Sequence, residues 1–227
     1  PIVAGVPAGN ILPDLERFGH LVRLGPPAGA FPNLPGPIIE IDQRQINLGQ
    51  SKIRGLDIDA KLRWPKLPVG DLGLSLNGTY FLKYDVQAPD GTFSDGIADS
   101  NSLASANAAG IIPRWKHYLA FNWRFGPWSA TLAQNFQTGY KDVPGTFEDT
   151  DDPAFKPRRV SDYTTYDLLA SYQFSRTLDL GLGVKNLLNT DPPYTNNGGQ
   201  SFFQAGYDPS YVDPRGRFVS PRANVRS

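Results

Sequence analysis

Carboxylates are the first candidates for chemistry in this chain. The segment FEDTDDP gathers Glu148, Asp149, Asp151 and Asp152, and clustered carboxylate oxygens are the hard donors that Ca²⁺ takes. The segment lacks the Gly and closing Glu of an EF-hand loop, and a solvated acidic loop explains it better than a calcium site does. Asp57 and Asp59 are two apart, share a strand face and mimic an acid–base carboxylate pair. Alternation along a polar wall explains them without an active site. The histidines His20 and His117 are distant in sequence, and with 0 Cys neither builds a recognisable metal site. No metal or cofactor is expected. A G-x-S-x-G elbow, an H-E-x-x-H pair, a P-loop and a G-x-G-x-x-G after a strand are all missing from the sequence, so the chain does not read as an enzyme.

Binding residues are better represented. Tyr194, Phe202, Phe203, Tyr207 and Tyr211 crowd one Gly-, Asn- and Pro-rich segment, offering rigid apolar area to a ligand or, equally, packing the segment onto itself. Lys+Arg and Asp+Glu both number 22, so no net charge invites nucleic acid, and that partner is not expected.

The elements that position these residues are strands. A chain with 12% aromatic residues, 23 Gly and 21 Pro suits strands and turns better than helices. Residues 51–64 place Leu56, Ile58, Ala60, Leu62 and Trp64 on one face, against Asp57, Asp59, Lys61 and Arg63 on the other. This is the period of two that a strand imposes. Residues 71–84, 114–125, 128–140, 162–174 and 178–185 repeat the plan, with Lys83, Lys116, Arg124, Asp179 and Lys185 on the polar face. A last strand is expected at 218–227, although Pro221 inside it belongs at an edge or bulge. Another is expected at 38–47. Pro65 and Pro68 predict a turn between the first two strong strands. Residues 1–37 read as loop, with a helical turn over 14–22 where Leu15, Phe18, Leu21 and Val22 fall at helical spacing.

Three hairpins therefore share one layout, with short turns at one end and long joins over 85–113, 141–161 and 189–215 at the other. Outer-membrane barrels have short periplasmic turns and long extracellular loops. Trp64, Trp123, Phe125, Trp128, Tyr172 and Phe174 collect at the short-turn end, where an aromatic girdle would sit. The fold expected is all-β: part of an antiparallel transmembrane β-barrel of about seven to eight strands in a meander. Its polar face, Asp57, Asp59, Lys61, Arg63, Lys83, Lys116, Arg124 and Lys185, would line the lumen, and its apolar face would meet outer-membrane lipid. Such charges also serve plain wall solvation and pairing across strands. His117 falls on the apolar face near the outer rim. With 0 Met and no signal pattern before Pro1, the N-terminus reads as a cut.

INLGQSKIRGLDIDAKLRW (46–64), LDLGLGVKNLLNTDPPYTNN (178–197) and GYDPSYVDPRGRFVS (206–220) resemble, in order, three segments of the TonB-dependent receptors. They correspond to an Asn-containing stretch entering an R-G-x-D/E strand, a V-x-N-L run before D-P-P-Y, and a tyrosine-rich loop entering the final strand. The resemblance implies that 38–227 is the C-terminal portion of a plugged barrel of about 22 strands, with the plug domain absent. It also implies a Gram-negative outer membrane, a small nutrient ligand (a siderophore–metal chelate, cobalamin or oligosaccharide), and the TonB energy-transducing complex reached through the missing plug. Ser227 stands where the family usually ends in an aromatic residue.

Two other readings fit the strand pattern. A small self-contained barrel with a structural or adhesive role needs 38–47 as its eighth strand. A soluble β-sandwich needs a second sheet over the leucine rows.

Overall fold

The computed structural model describes residues 2–4, 16, 19–27, 36–42, 46–88, 91–102, 104–105, 110–145, 150–196 and 206–225. The chain divides into two compact units, Pro1–Ser51 with Gln87–Phe93, and Lys52–Val86 with Ser94–Ser227.

In the first unit, β1 (Ile2–Ala4) pairs with β4 (Ile46–Gly49), and β2 (Val22–Leu24) pairs with β3 (Ile38–Ile41), all antiparallel. An exposed Arg23–Glu40 ion pair at 2.7 Å crosses the second ladder. Of the helical turn expected over 14–22, residues 14, 15, 17 and 18 lie outside the described residues. The part that is described is a 3₁₀ turn, Gly19–Leu21, leading into β2, so Val22 belongs to a strand.

The second unit is organised on one antiparallel sheet: β5 (Ser51–Leu67), β6 (Gly70–Gln87), β8 (Trp115–Phe125), β9 (Trp128–Gln137), β12 (Tyr163–Gln173), β13 (Leu178–Lys185) and β14 (Phe218–Val225). These seven neighbour one another in chain order, and short β7 (Phe93–Asp95) pairs with β6 as the eighth. β10 (Tyr140–Lys141) and β11 (Arg159–Val160) make a separate two-stranded ladder. Among the described residues the sheet is open, with β5 and β14 as its edges. The stretch 38–47 adds no strand to it, because β3 pairs with β2 and β4 with β1. The eight-stranded closure that a self-contained barrel requires is therefore not formed among the described residues.

Register confirms the two faces. Leu74, Phe121 and Leu132 stand in one row across β6, β8 and β9, and Leu132 faces Leu168 on β12. The opposite face carries Asn77, Tyr118, Asn135 and Thr165 in a row of their own. The apolar row is bare: Leu56, Leu62, Phe121, Leu132, Leu180 and Leu182 are all exposed. Among the described residues no second sheet covers them, which the sandwich reading requires, whereas lipid would. At about 3.4 Å per residue, the 11 residues of β8 rise about 34 Å, or about 26 Å along the axis of a barrel tilted ~40°. That matches the height of an outer-membrane apolar band. Trp123, Phe125, Trp128, Tyr172 and Phe174 cluster at its lower edge, where the Trp128 and Tyr172 ring centroids are 4.4 Å apart.

Both prolines in the sheet sit on edge strands, where one side of the backbone has no ladder to lose. Pro221 faces Leu182 from β14. Pro65 lies inside β5, not in a turn as its sequence suggests, and the chain reverses at 68–69. Gly70, at φ 104°, completes that reversal in a backbone region that L residues rarely enter. The strand expected over 128–140 breaks after Gln137. Gly139 N then donates to Asp162 Oδ1 at 2.7 Å, and the chain pairs instead with β11.

Candidate functional site

The polar face of the sheet is a hydrogen-bonded wall. Thr79 Oγ1 donates to Asp57 Oδ1 at 2.7 Å, and Asn77 Nδ2 to Asp59 Oδ2 at 3.5 Å. Lys61 pairs with Asp59 at 3.4 Å and Lys83 with Asp85 at 2.7 Å. Further along the sheet, Asn135 Nδ2 donates to Asp167 Oδ2 at 3.1 Å, and the Ser129 and Ser171 hydroxyls meet at 2.7 Å. Arg124 stands opposite Asp71, and Arg63 is exposed on β5. Asp57 and Asp59 each take a donor from β6, as wall residues do.

Against this wall, Tyr211, Val212, Asp213, Arg215 and Gly216 close off a cavity of about 510 Å³. Its floor includes Asn77, Thr79, Lys116, Tyr118, Asn135, Gln137, Asp167 and Lys185, and its roof includes Tyr211, Asp213 and Arg215. The structure therefore brings two of the predicted luminal cations, Lys116 and Lys185, to one cavity. Arg215 Nε donates to both Asp213 oxygens at 2.9 and 3.0 Å, and that guanidinium holds the exposed Asp213 carboxyl down at about 2.

The outer loops pack onto one another. Tyr140, Val160, Tyr163, Tyr211 and Val212 form a small core, joined by Tyr207 at its margin. Tyr211 is buried, its hydroxyl donates to Thr138 O at 2.9 Å, and Gln137 Nε2 donates to Tyr211 O. Burial pushes the Tyr140 hydroxyl up to about 12, with Asp208 and Asp142 adding to the rise and Thr195 opposing it. The Tyr211 hydroxyl is raised by burial as well, and further by Tyr140 and Asp162. Tyr194, in contrast, is 57% exposed, with the Arg158 guanidinium 4.4 Å over its ring and bonded to its carbonyl oxygen. Of the five loop aromatics, then, Tyr194 is presented outward while Tyr207 and Tyr211 pack inward. Phe202 and Phe203 lie outside the described residues, as do Glu148 and Asp149 of the acidic segment. Asp152 Oδ1 in that segment accepts from Ala154 N at 2.7 Å.

On the apolar face, His117 Nε2 donates to Gln134 Oε1 at 3.1 Å, and Gln134 Nε2 donates to the Tyr166 hydroxyl at 3.0 Å. The His117 ring also stacks on Phe136 at 5.1 Å. This polar chain ends the leucine band on the loop side, where amphipathic rings sit at a membrane interface.

Sequence reasoning missed Asp142. Its side chain is 0% exposed, and it accepts from Thr195 Oγ1 at 2.6 Å and Asn196 N at 3.0 Å. No motif marks it, and the Thr195 and Asn196 donors lie more than fifty residues downstream.

No curated protein sequence matches the chain. Among solved structures, the chain is similar to a variant of the ferric enterobactin receptor PfeA from Pseudomonas aeruginosa at 21% identity and TM-score 0.50, over 82% of this chain and 24% of that one. It is also similar to the siderophore receptor PiuA from Acinetobacter baumannii, at 17% identity and TM-score 0.47, over 81% and 23%. A third is the ferric yersiniabactin uptake receptor FyuA from Yersinia pestis, at 18% identity and TM-score 0.42, over 80% and 23%. The chain spans about a quarter of the length of these structures. The family described as TonB dependent receptor-like, beta-barrel, matches residues 21–187, and with a bare apolar face, a polar inner wall and long loops at one end, the chain belongs to that family.

Proposed function

We propose that this chain supplies the C-terminal barrel wall and three outer loops of a receptor that takes up a ferric siderophore across the outer membrane of a Gram-negative bacterium. The observation that carries the reading is the two-faced sheet: leucines bare on one side, and on the other a hydrogen-bonded wall with a roofed cavity. Family membership adds the plug and the TonB complex as expected partners of the whole protein, and the wall described here meets outer-membrane lipid. Siderophore is favoured over cobalamin or oligosaccharide by the names that the similar structures carry. In this chain the exposed Tyr194 ring under the Arg158 guanidinium suits an anionic, flat chelate. Tyr207, Tyr211, Phe202 and Phe203 complete the proposed ligand-facing loop, the first two by packing it in place.

The test is uptake of radioactive iron by iron-starved cells that carry the intact protein and are offered a panel of ferric siderophores, cobalamin and oligosaccharides. The reading expects uptake of one ferric chelate, abolished when the proton-motive force is collapsed. Uptake of none of the chelates, or uptake indifferent to that force, overturns it.

A further inference from the structure

The described parts of the second and third outer loops, within 141–161 and 189–215, meet in the Val160–Tyr211 core and around one buried carboxylate. Asp142 is 0% exposed and its carboxylate is surrounded by donors from both loops. Thr195 Oγ1 and Val143 N donate to Oδ1 at 2.6 and 3.0 Å, and Asn196 N donates to Oδ2 at 3.0 Å. Arg158 Nε lies 4.0 Å from Oδ2. A buried carboxylate persists only where hydrogen bonds and an opposite charge compensate its lost hydration, so each of these partners is held by the same anion. The backbone repeats the connection: Asp142 N donates to Arg158 O at 2.8 Å, and Asn196 Nδ2 donates to Val143 O at 3.2 Å.

The arrangement reaches outward. Arg158, anchored on one side by Asp142, carries its guanidinium over the Tyr194 ring and donates to the Tyr194 carbonyl. Tyr194 in turn donates its hydroxyl to Asn196 Oδ1 at 3.2 Å. The exposed Arg–Tyr pair therefore stands on a buried carboxylate that belongs to a different loop from the tyrosine. Lys141, next in the chain, pairs with Asp99 at 3.2 Å and brings the first outer loop to the same place.

We propose that Asp142 is a positioning residue, a clasp that fixes the second and third outer loops as one body and sets the geometry in which Arg158 and Tyr194 are presented. The clasp needs no ligand, so its test is separate from the uptake reading and either can fail alone.

The chain contains 0 Cys, which makes paired spin labels straightforward in this segment of the intact membrane-embedded protein. Lys156 and Asp191, both exposed, are replaced by Cys to report the distance between the two loops. A second pair at Gly126 and Arg176 in the short turns reports on the sheet. The parent protein is expected to give one narrow loop-to-loop distance. Asp142→Asn replaces Oδ2 with a donor facing the Asn196 N–H and Arg158, and the narrow peak should be lost while the turn pair is unchanged. Arg158→Gln should also broaden the loop distance, because it removes the bond to the Tyr194 carbonyl as well as the contact with Asp142. A role for Asp142 confined to its own loop would leave Thr195→Val silent. Should Asp142→Asn disturb the turn pair, Thr195→Val decides: it removes the 2.6 Å bond and leaves the carboxylate in place. An unchanged loop distance in Thr195→Val or in a correctly folded Asp142→Asn, or a silent Arg158→Gln, overturns the clasp.

Discussion

Tyr211 meets Tyr140 edge to face, with ring centroids 4.9 Å apart, and this contact joins the third outer loop to the β10–β11 ladder. Both rings are buried, and Tyr211 also spends its hydroxyl on the Thr138 carbonyl. Tyr211→Ala should cost the loop about 3 kcal/mol of local stability, in the range for deleting a buried aromatic ring. Hydrogen exchange of the amides at 206–217 should accelerate while those of β8 and β9 stay protected.

The same pair has a pH limit. Burial raises the Tyr140 hydroxyl to about 12 and the Tyr211 hydroxyl likewise above its ordinary value. A raised acid favours the neutral form in the packed loop, so the packing is fully present below the ordinary tyrosine pKa of about 10. It should weaken as pH climbs from there and be lost as pH passes the raised values. Ultraviolet titration of tyrosinate, followed alongside loop proteolysis, should show both changes together, with Tyr211→Phe removing part of the high-pH component.

The two faces of β8 and β9 should respond oppositely to charge. Leu132→Arg places a cation in the middle of the bare leucine row and should destabilise the membrane-embedded protein by about 2–4 kcal/mol. Asn122→Arg, on the polar wall beside Thr131, should cost far less. Urea unfolding in lipid vesicles measures both.

Gly78 has its own constraint. A Cβ at this position would collide with the Trp115 ring packed over it on the apolar face. Gly78→Val should therefore displace Trp115 and cost about 1–3 kcal/mol, as overpacking does. The shift should be read in tryptophan fluorescence as a change in ring environment that Gly73→Val does not produce.

The faces, hairpins and loop layout are legible in the sequence because lipid and lumen impose opposite chemistry on alternate residues, and a slip of one position would exchange them. Asp57, Asp59 and Lys83 were readable as wall residues for the same reason, though their partners Thr79, Asn77 and Asp85 appear only in the fold. Pro65 misled, because a proline in an edge strand looks like a turn until the edge is known. The stretch 38–47 has a strand's pattern, but its pairing choice, with β1 and β2, depends on segments that carry little pattern themselves. Asp142 was invisible for a stronger reason. A carboxylate in a polar loop reads as solvated, and only tertiary packing that brings Thr195 and Asn196 to it makes it a buried anchor. Tyr211 and Tyr194 look alike in sequence, yet one is core and the other surface, since burial there is decided by contact with Tyr140 and Arg158.

The most direct test of the two-faced membrane wall is a cysteine scan of β9 in outer membranes. Single Cys residues replacing Ser129, Ala130, Thr131, Leu132, Gln134, Asn135 and Phe136 carry a fluorophore, and quenching by a lipid-soluble nitroxide is compared with quenching by a water-soluble ion. The barrel account predicts a strict alternation, with Ala130, Leu132, Gln134 and Phe136 quenched from lipid and Ser129, Thr131 and Asn135 from water. Equal quenching of both sets from water would contradict it.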